Sequence, residues 1–235
     1  MNMHEYRLGI SHGLPVGMGY FSVSFGFGAM AVSQGLKVWE ATLISLTNLT
    51  SAGQFAGLTV IVAGAAIAEM ILTQLIINSR YALMSLALSQ RMGQRIGVIP
   101  RIFIAFFNTD EIFALAMARH EPLTVPYLLG LGTLPILGWT GGTLLGALAG
   151  SVLPVSIRDA LGVMLYGMFI AIVVPPAKRE RKILAAVVLA LVCSSLFAWL
   201  PALQKVSAGI SIVLCTLISA CICAAVFPVK EEAAV

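Results

Sequence analysis

Charge is scarce in this sequence. Only 10% of its 235 residues are Asp, Glu, Lys or Arg, and 59% are hydrophobic. A soluble domain of ordinary composition carries about 25% charged residues, so a soluble globular protein is excluded. No soluble stretch is long enough to fold alone, and the chain reads as one membrane domain over residues 1–235. Cysteine is nearly absent as well. Cys193, Cys215, Cys221 and Cys223 all fall in the last two apolar runs, where they read as small packing residues and not as disulfides or metal ligands. The chain has no HExxH, GxSxG, Walker lysine loop or Rossmann GxGxxG, which argues against an intramembrane enzyme or an ATP-driven pump and calls for no metal or cofactor. The net charge of +4 is no nucleic-acid signal. The basic residues sit mostly between apolar runs, where they set topology.

What is present is a series of apolar runs from end to end, the mark of a multi-pass membrane protein. The runs are Gly9–Gln34, Trp39–Val62, Ala65–Gln90, Ile99–Arg119, Thr124–Leu153, Leu161–Val174, Ile183–Leu200 and Val206–Phe227. The predicted fold is an all-α polytopic membrane bundle with discontinuous helices. A cleaved signal ending at Ala29-Met30-Ala31 is rejected, because the apolar part is too long and too glycine-rich. Gly13, Pro15, Gly17, Gly19, Gly26 and Gly28 break the first run. They allow either a discontinuous helix, as at transporter binding sites, or close helix packing through glycine. Pro175-Pro176 is read as the stop of the sixth run.

The charge that does lie inside apolar sequence is concentrated between Glu69 and Glu111. The third run holds Glu69, Asn78 and Arg80, and the fourth holds Asn108, Thr109, Asp110 and Glu111. A charge at mid-membrane costs roughly 2.5–3.5 kcal/mol on insertion scales, so such residues pair, line a cavity or carry function. On a helix Glu69, Thr73 and Arg80 share one face, and Gln74, Asn78, Tyr81 and Ser85 another. Glu69 and Arg80 are still about 16 Å apart along the axis. Asp110 and Glu111 point about 100° apart, and Arg80 is the natural partner for one of them. An ion pair that only fixes packing is the alternative. Gln54, in the polar stretch Asn48 to Phe55, needs partners that hydrocarbon cannot supply. It serves either a substrate or a helix–helix hydrogen bond.

The basic cluster Lys178, Arg179, Arg181 and Lys182 marks the cytoplasmic side. Eight crossings then leave Arg91, Arg95 and Arg101 outside. Making one run between Arg101 and Lys178 re-entrant brings them inside and gives seven crossings, with the N-terminus outside. The sequence predicts seven or eight spans, with the charges leaning to seven. Leu14-Pro15, Gly26 and Ala29 recur at Leu134-Pro135, Gly146 and Ala149 with one offset of 120 residues. This suggests a duplication into halves 1–120 and 121–235. If the fourth run re-enters, the two halves would be inverted.

Three stretches carry a family resemblance: Ser51-Ala52-Gly53-Gln54-Phe55, Asn78-Ser79-Arg80-Tyr81-Ala82-Leu83-Met84-Ser85, and Thr109-Asp110-Glu111-Ile112-Phe113. In order and spacing they resemble the signature stretches of the azaleucine-resistance (AzlC-type) permeases, the large subunits of bacterial branched-chain amino-acid exporters. The resemblance covers about Gly9 to Pro176. It departs at Ser79, where the family more often has Leu, and at Tyr81, where it more often has His. The resemblance implies a multi-pass protein of the bacterial cytoplasmic membrane that exports leucine, isoleucine, valine or similar amino acids. It also implies a small AzlD-type membrane subunit as partner. The chemistry of the residues assigns roles to such a site. Arg80 can hold a carboxylate, and Asp110 or Glu111 can hold an amino group or take a coupling proton, with Glu69 the next proton candidate. Gln54 and Asn78 can bond the remaining polar atoms. Uptake in place of export, a cation-selective channel and a non-transporting scaffold are the rival readings.

Overall fold

The computed structural model describes residues 2–92, 96–150, 170 and 173–227. Among them every regular element is a helix: α1 (Met3–Ser33), α2 (Val38–Thr47), α3 (Ser51–Val62), α4 (Ile67–Arg91), α5 (Val98–Phe106), α6 (Asp110–Ala118), α7 (Val125–Gly150), α8 (Arg181–Trp199) and α9 (Ala208–Val226). Five of these, α1, α4, α7, α8 and α9, are long and apolar enough to cross a membrane. Two compact units divide the chain. One comprises Met1–Phe55 with Asn78–Leu165, the other Ala56–Ile77 with Tyr166–Val235. Most of the sixth run, Arg95 and the C-terminal tail lie outside the described residues.

The first unit is built around α1 and α7. The first run is not discontinuous: α1 is one helix of 31 residues with Pro15 inside it. The fifth run is likewise one helix through Pro135. Their glycines serve packing. A Cβ on Gly13 would strike the backbone of Leu131, one on Gly28 that of Thr143, and one on Gly138 that of Gly17. Small residues allow this backbone approach, which drives helix association where lipid replaces water. Gly9 lies against Tyr127 and Leu131, Gly17 against Leu134, and Gly146 against Phe25. The pairing rises in step along both helices, so α1 and α7 run parallel.

The second and fourth runs, each long enough to span as a single helix, are instead pairs of short helices that fold back. In the fourth, α5 and α6 have 9 residues each, about 14 Å apiece. Both free ends lie at the C-terminal end of α4. Arg91 donates to the carbonyl of Arg119 just past α6 at 2.5 Å, and Arg101 near the start of α5 donates to the carbonyl of Ser89 at 2.9 Å. The turn between them lies further back along α4, where Asn108 Nδ2 bonds Ser85 Oγ at 3.2 Å. In the second run, Ser45 of α2 and Gln54 of α3 bond each other across the break at 2.7 Å. Beyond the break Phe55 returns to pack edge-on against Phe27, ring centroids 5.2 Å apart. The turn residue Thr50 donates to Asn78 Oδ1 at 2.7 Å.

In the second unit, Gly57 of α3 lies beside Met70 and Gln74 of α4, so α3 runs antiparallel to α4 and back toward its start. Also in this unit, α8 packs on α9. Residues 173–179 are helical through Pro175-Pro176, so these prolines do not stop the sixth run. The break comes at Glu180, which precedes α8.

Candidate functional site

The two hairpin turns reach α4 two residues apart, at Asn78 and Arg80, the middle of that helix. Arg80 Nη1 lies 2.5 Å from Asp110 Oδ2. Its Nη2 donates to the Tyr81 hydroxyl at 3.2 Å, and its guanidinium sits 4.9 Å from the centre of the Tyr81 ring. Both members of the Arg80–Asp110 pair keep 45% of their side-chain surface exposed. Asp110 opens α6, so its carboxylate also meets the positive end of that helix.

Glu111 has a different partner. The Tyr20 hydroxyl contacts Glu111 Oε2 at 2.5 Å and Thr109 Oγ1 at 2.6 Å. The Tyr20 ring is edge-on to Trp139, with centroids 5.3 Å apart, and Trp139 Nε1 donates to Gln54 Oε1 at 2.5 Å. Gln54 Nε2 donates to Ser45 Oγ, which bonds Thr143 Oγ1 at 2.7 Å. Gln54 is buried, with 1% of its surface exposed, and both ends of its amide are taken. Asn78 accepts from Thr50. The structure thus brings Arg80 and Asp110 together, ties Glu111 to Tyr20 and Asn78 to Thr50, and puts Gln54 in a sealed network with Trp139 and Ser45.

Glu69 belongs elsewhere. Its Oε1 accepts the backbone N–H of Gly209 at 2.9 Å, in the first turn of α9. A carboxylate there satisfies a helix-terminal donor and complements the helix dipole. Gly209 is small for this reason: a Cβ would strike Glu69 and Thr73.

Tyr20 and Trp139 are the participants that sequence reasoning missed. Each is an amphipathic aromatic in a glycine-rich apolar run, and nothing local distinguishes it from a packing residue. At the base of the second hairpin, Arg119 forms a two-pronged pair with Glu5 at 3.0 and 3.2 Å and lies over the Tyr127 ring at 4.0 Å. Glu121 joins at 3.3 Å. Its carboxyl is held below the usual range first by its own backbone N–H and, more weakly, by Arg119. Among the described residues no group of three or more His, Cys, Asp or Glu gathers as a metal site.

Helices throughout the described residues, five of them long and apolar enough to cross a membrane, define a polytopic membrane protein. The family model described as AzlC protein matches residues 15–153, which include all three stretches around Gln54, Arg80 and Asp110. The chain belongs to the AzlC family, a family of membrane permeases and not of enzymes. An uncharacterized membrane protein of Archaeoglobus fulgidus is 33% identical over 184 residues, 77% of this chain and 80% of that one. The inner membrane protein YgaZ of Escherichia coli is 29% identical over 200 residues, 81% of each chain. An uncharacterized membrane protein of Helicobacter pylori is 27% identical over 83% of this chain and 89% of that one. No solved structure matches significantly.

Proposed function

We propose that the protein is a secondary transporter that exports branched-chain or other small neutral amino acids across the bacterial cytoplasmic membrane, in complex with a small AzlD-type membrane subunit. The observation that carries this reading is the half-exposed Arg80–Asp110 pair where the two hairpin turns meet on α4. Ionisable groups at membrane depth mark substrate and proton pathways, and discontinuous helices recur at transporter sites. Arg80 would hold the substrate carboxylate as a two-pronged donor. Asp110 would hold the amino group or exchange the coupling proton, with Asn78 bonding the remaining polar atoms. Glu111 and Gln54, already engaged, would join only when their present bonds open.

The fold-back of the fourth run keeps Arg91, Arg101 and Arg119 on one side of the membrane, which the positive-inside rule makes cytoplasmic. The parallel course of α1 and α7 fits re-entrant second and fourth runs, since α4 alone then crosses between them.

Counterflow of radiolabelled leucine in proteoliposomes, with and without the co-expressed small subunit, tests the function. We expect saturable uptake stimulated by leucine inside the vesicles. Flux that rises linearly and admits cations would instead establish the channel. No flux of any neutral amino acid with either preparation would reject the reading.

A further inference from the structure

Two hairpin turns meet on α4, at Asn78 and Arg80, so movement of one bears on the other. The structure contains a link between them that does not pass through the Arg80–Asp110 pair. It starts at α6, where Glu111 and Thr109 bond the Tyr20 hydroxyl. It passes from the Tyr20 ring to Trp139, and from the Trp139 indole N–H to Gln54. It ends at Ser45 and Thr143, where Gln54 ties α3 to α2 and both to α7. Tyr20 stands on α1 and Trp139 on α7. These two helices are fixed against each other by Gly9, Gly13, Gly17, Gly28, Gly138 and Gly146, where an added Cβ would strike the facing backbone. Sliding of one along the other would bring Cβ-bearing residues to those close points, so the two aromatics form one rigid fixture.

We infer that Tyr20 and Trp139 are positioning residues that fasten the two hairpin turns to a single α1–α7 post, so that releasing one turn loosens the other. Each hairpin is held at its polar turn by one hydrogen-bonding group of an amphipathic aromatic. The two rings touch edge to face, a geometry that contributes beyond simple burial. When the Tyr20 hydroxyl leaves Glu111, the ring is free to rotate off Trp139. The indole then loses the packing that aims its N–H at Gln54. The same sequence runs in reverse from Gln54. Ser45, Gln54, Thr109 and Thr143 are buried and costly to leave unpaired, which favours states in which their bonds are all made or all rearranged.

The test needs no knowledge of the substrate and therefore stands or falls apart from the transport reading. Cys193, Cys215, Cys221 and Cys223 are replaced by Ser, and a single reporter is placed in a turn: Leu49→Cys in the first hairpin or Phe107→Cys in the second, both buried in the native protein. The rate of modification by N-ethylmaleimide is measured in membranes. Tyr20→Phe keeps the ring and removes the hydroxyl; Trp139→Phe removes the indole N–H. We expect Tyr20→Phe to raise modification of Leu49→Cys, on the opposite hairpin, by about tenfold, the factor for losing one hydrogen bond to a charged group. Trp139→Phe should raise modification of Phe107→Cys similarly. The double substitution should add little to either single one, since coupled groups are non-additive. Glu111→Leu, which removes the acceptor of the Tyr20 hydroxyl and leaves α1 and its packing untouched, should reproduce the Tyr20→Phe pattern and so separates release of the turn from misfolding. The inference is overturned if each substitution exposes only the reporter on its own hairpin, if the effects add in the double variant, or if no rate changes.

Discussion

The two hairpins are alike in plan and opposite in chemistry. Each is a pair of short helices broken at an Asn-containing turn, Asn48 in one and Asn108 in the other, and each turn reaches the middle of α4. The α2–α3 hairpin carries no ionisable group at its turn, and its key side chain, Gln54, is sealed from solvent with every polar end bonded. The α5–α6 hairpin presents Asp110 and Glu111 in the first turn of α6, and its Arg80–Asp110 pair is half open. An open ion pair can exchange partners at small cost, whereas a closed neutral network loses desolvated hydrogen bonds when disturbed. On the proposed reading, the second hairpin handles substrate and proton and the first holds.

The largest effect should come from the open side. Arg80→Ala leaves Asp110 without its guanidinium partner beside a second carboxylate, and we expect transport to fall by at least about tenfold, the scale of one lost charge-assisted bond, with protein level reduced. Adding Asp110→Asn should restore the level without restoring transport. Adding Glu111→Gln should not restore it, because Glu111 is bonded to Tyr20. Equal rescue by both, read from fluorescence of a tagged protein in membranes, would remove the distinction between the two carboxylates.

A smaller and different effect is expected on the closed side. Gln54→Leu preserves volume but leaves the Trp139 N–H unpaired in a buried site. This should cost about 2 kcal/mol, a fall in Tm of roughly 4–8 °C in a protein of this size. The KM for leucine should stay within about twofold, since uniform binding is untouched. A raised KM with unchanged Tm would show Gln54 reaching the substrate and would dissolve the division of labour between the hairpins.

Much of this division could be read from the chain, but not its geometry. Arg80, Asp110 and Glu111 stood out because charge in apolar sequence is expensive, and that cost is visible residue by residue. The second hairpin was open as an option, since the placement of Arg91, Arg95 and Arg101 allowed the fourth run to re-enter; the first was hidden because Trp39–Val62 is long enough to cross as one helix. Whether a broken run continues or folds back depends on what Arg91 and Arg101 bond, and those partners are backbone carbonyls, which have no side-chain signature. The glycines of α1 raised two alternatives, a break or a close contact, and only the facing glycines of α7 decide between them. Tyr20 and Trp139 were unreadable for a related reason: their hydrogen-bond partners, Glu111 and Gln54, lie 91 and 85 residues away in the chain.

Glu69 supplies the smallest effect and a control on the whole comparison. From sequence it was a candidate for the coupling proton, as an acidic residue on the same face of the third run as Arg80. In the structure its carboxylate accepts the Gly209 N–H at the start of α9. Along the α4 axis it is about 16 Å from Arg80, too far for the two to exchange a proton directly. A carboxylate at a helix N-terminus is worth about 0.3–1 kcal/mol through the dipole. A neutral amide in its place still accepts the hydrogen bond and loses only the charge. Glu69→Gln should therefore lower Tm by no more than roughly 1–4 °C and leave gradient-driven leucine accumulation in proteoliposomes intact. Asp110→Asn, measured in the same vesicles, should abolish accumulation while exchange persists. If Glu69→Gln abolishes accumulation and keeps exchange, the proton is carried at the start of α4, and the α5–α6 hairpin handles substrate alone.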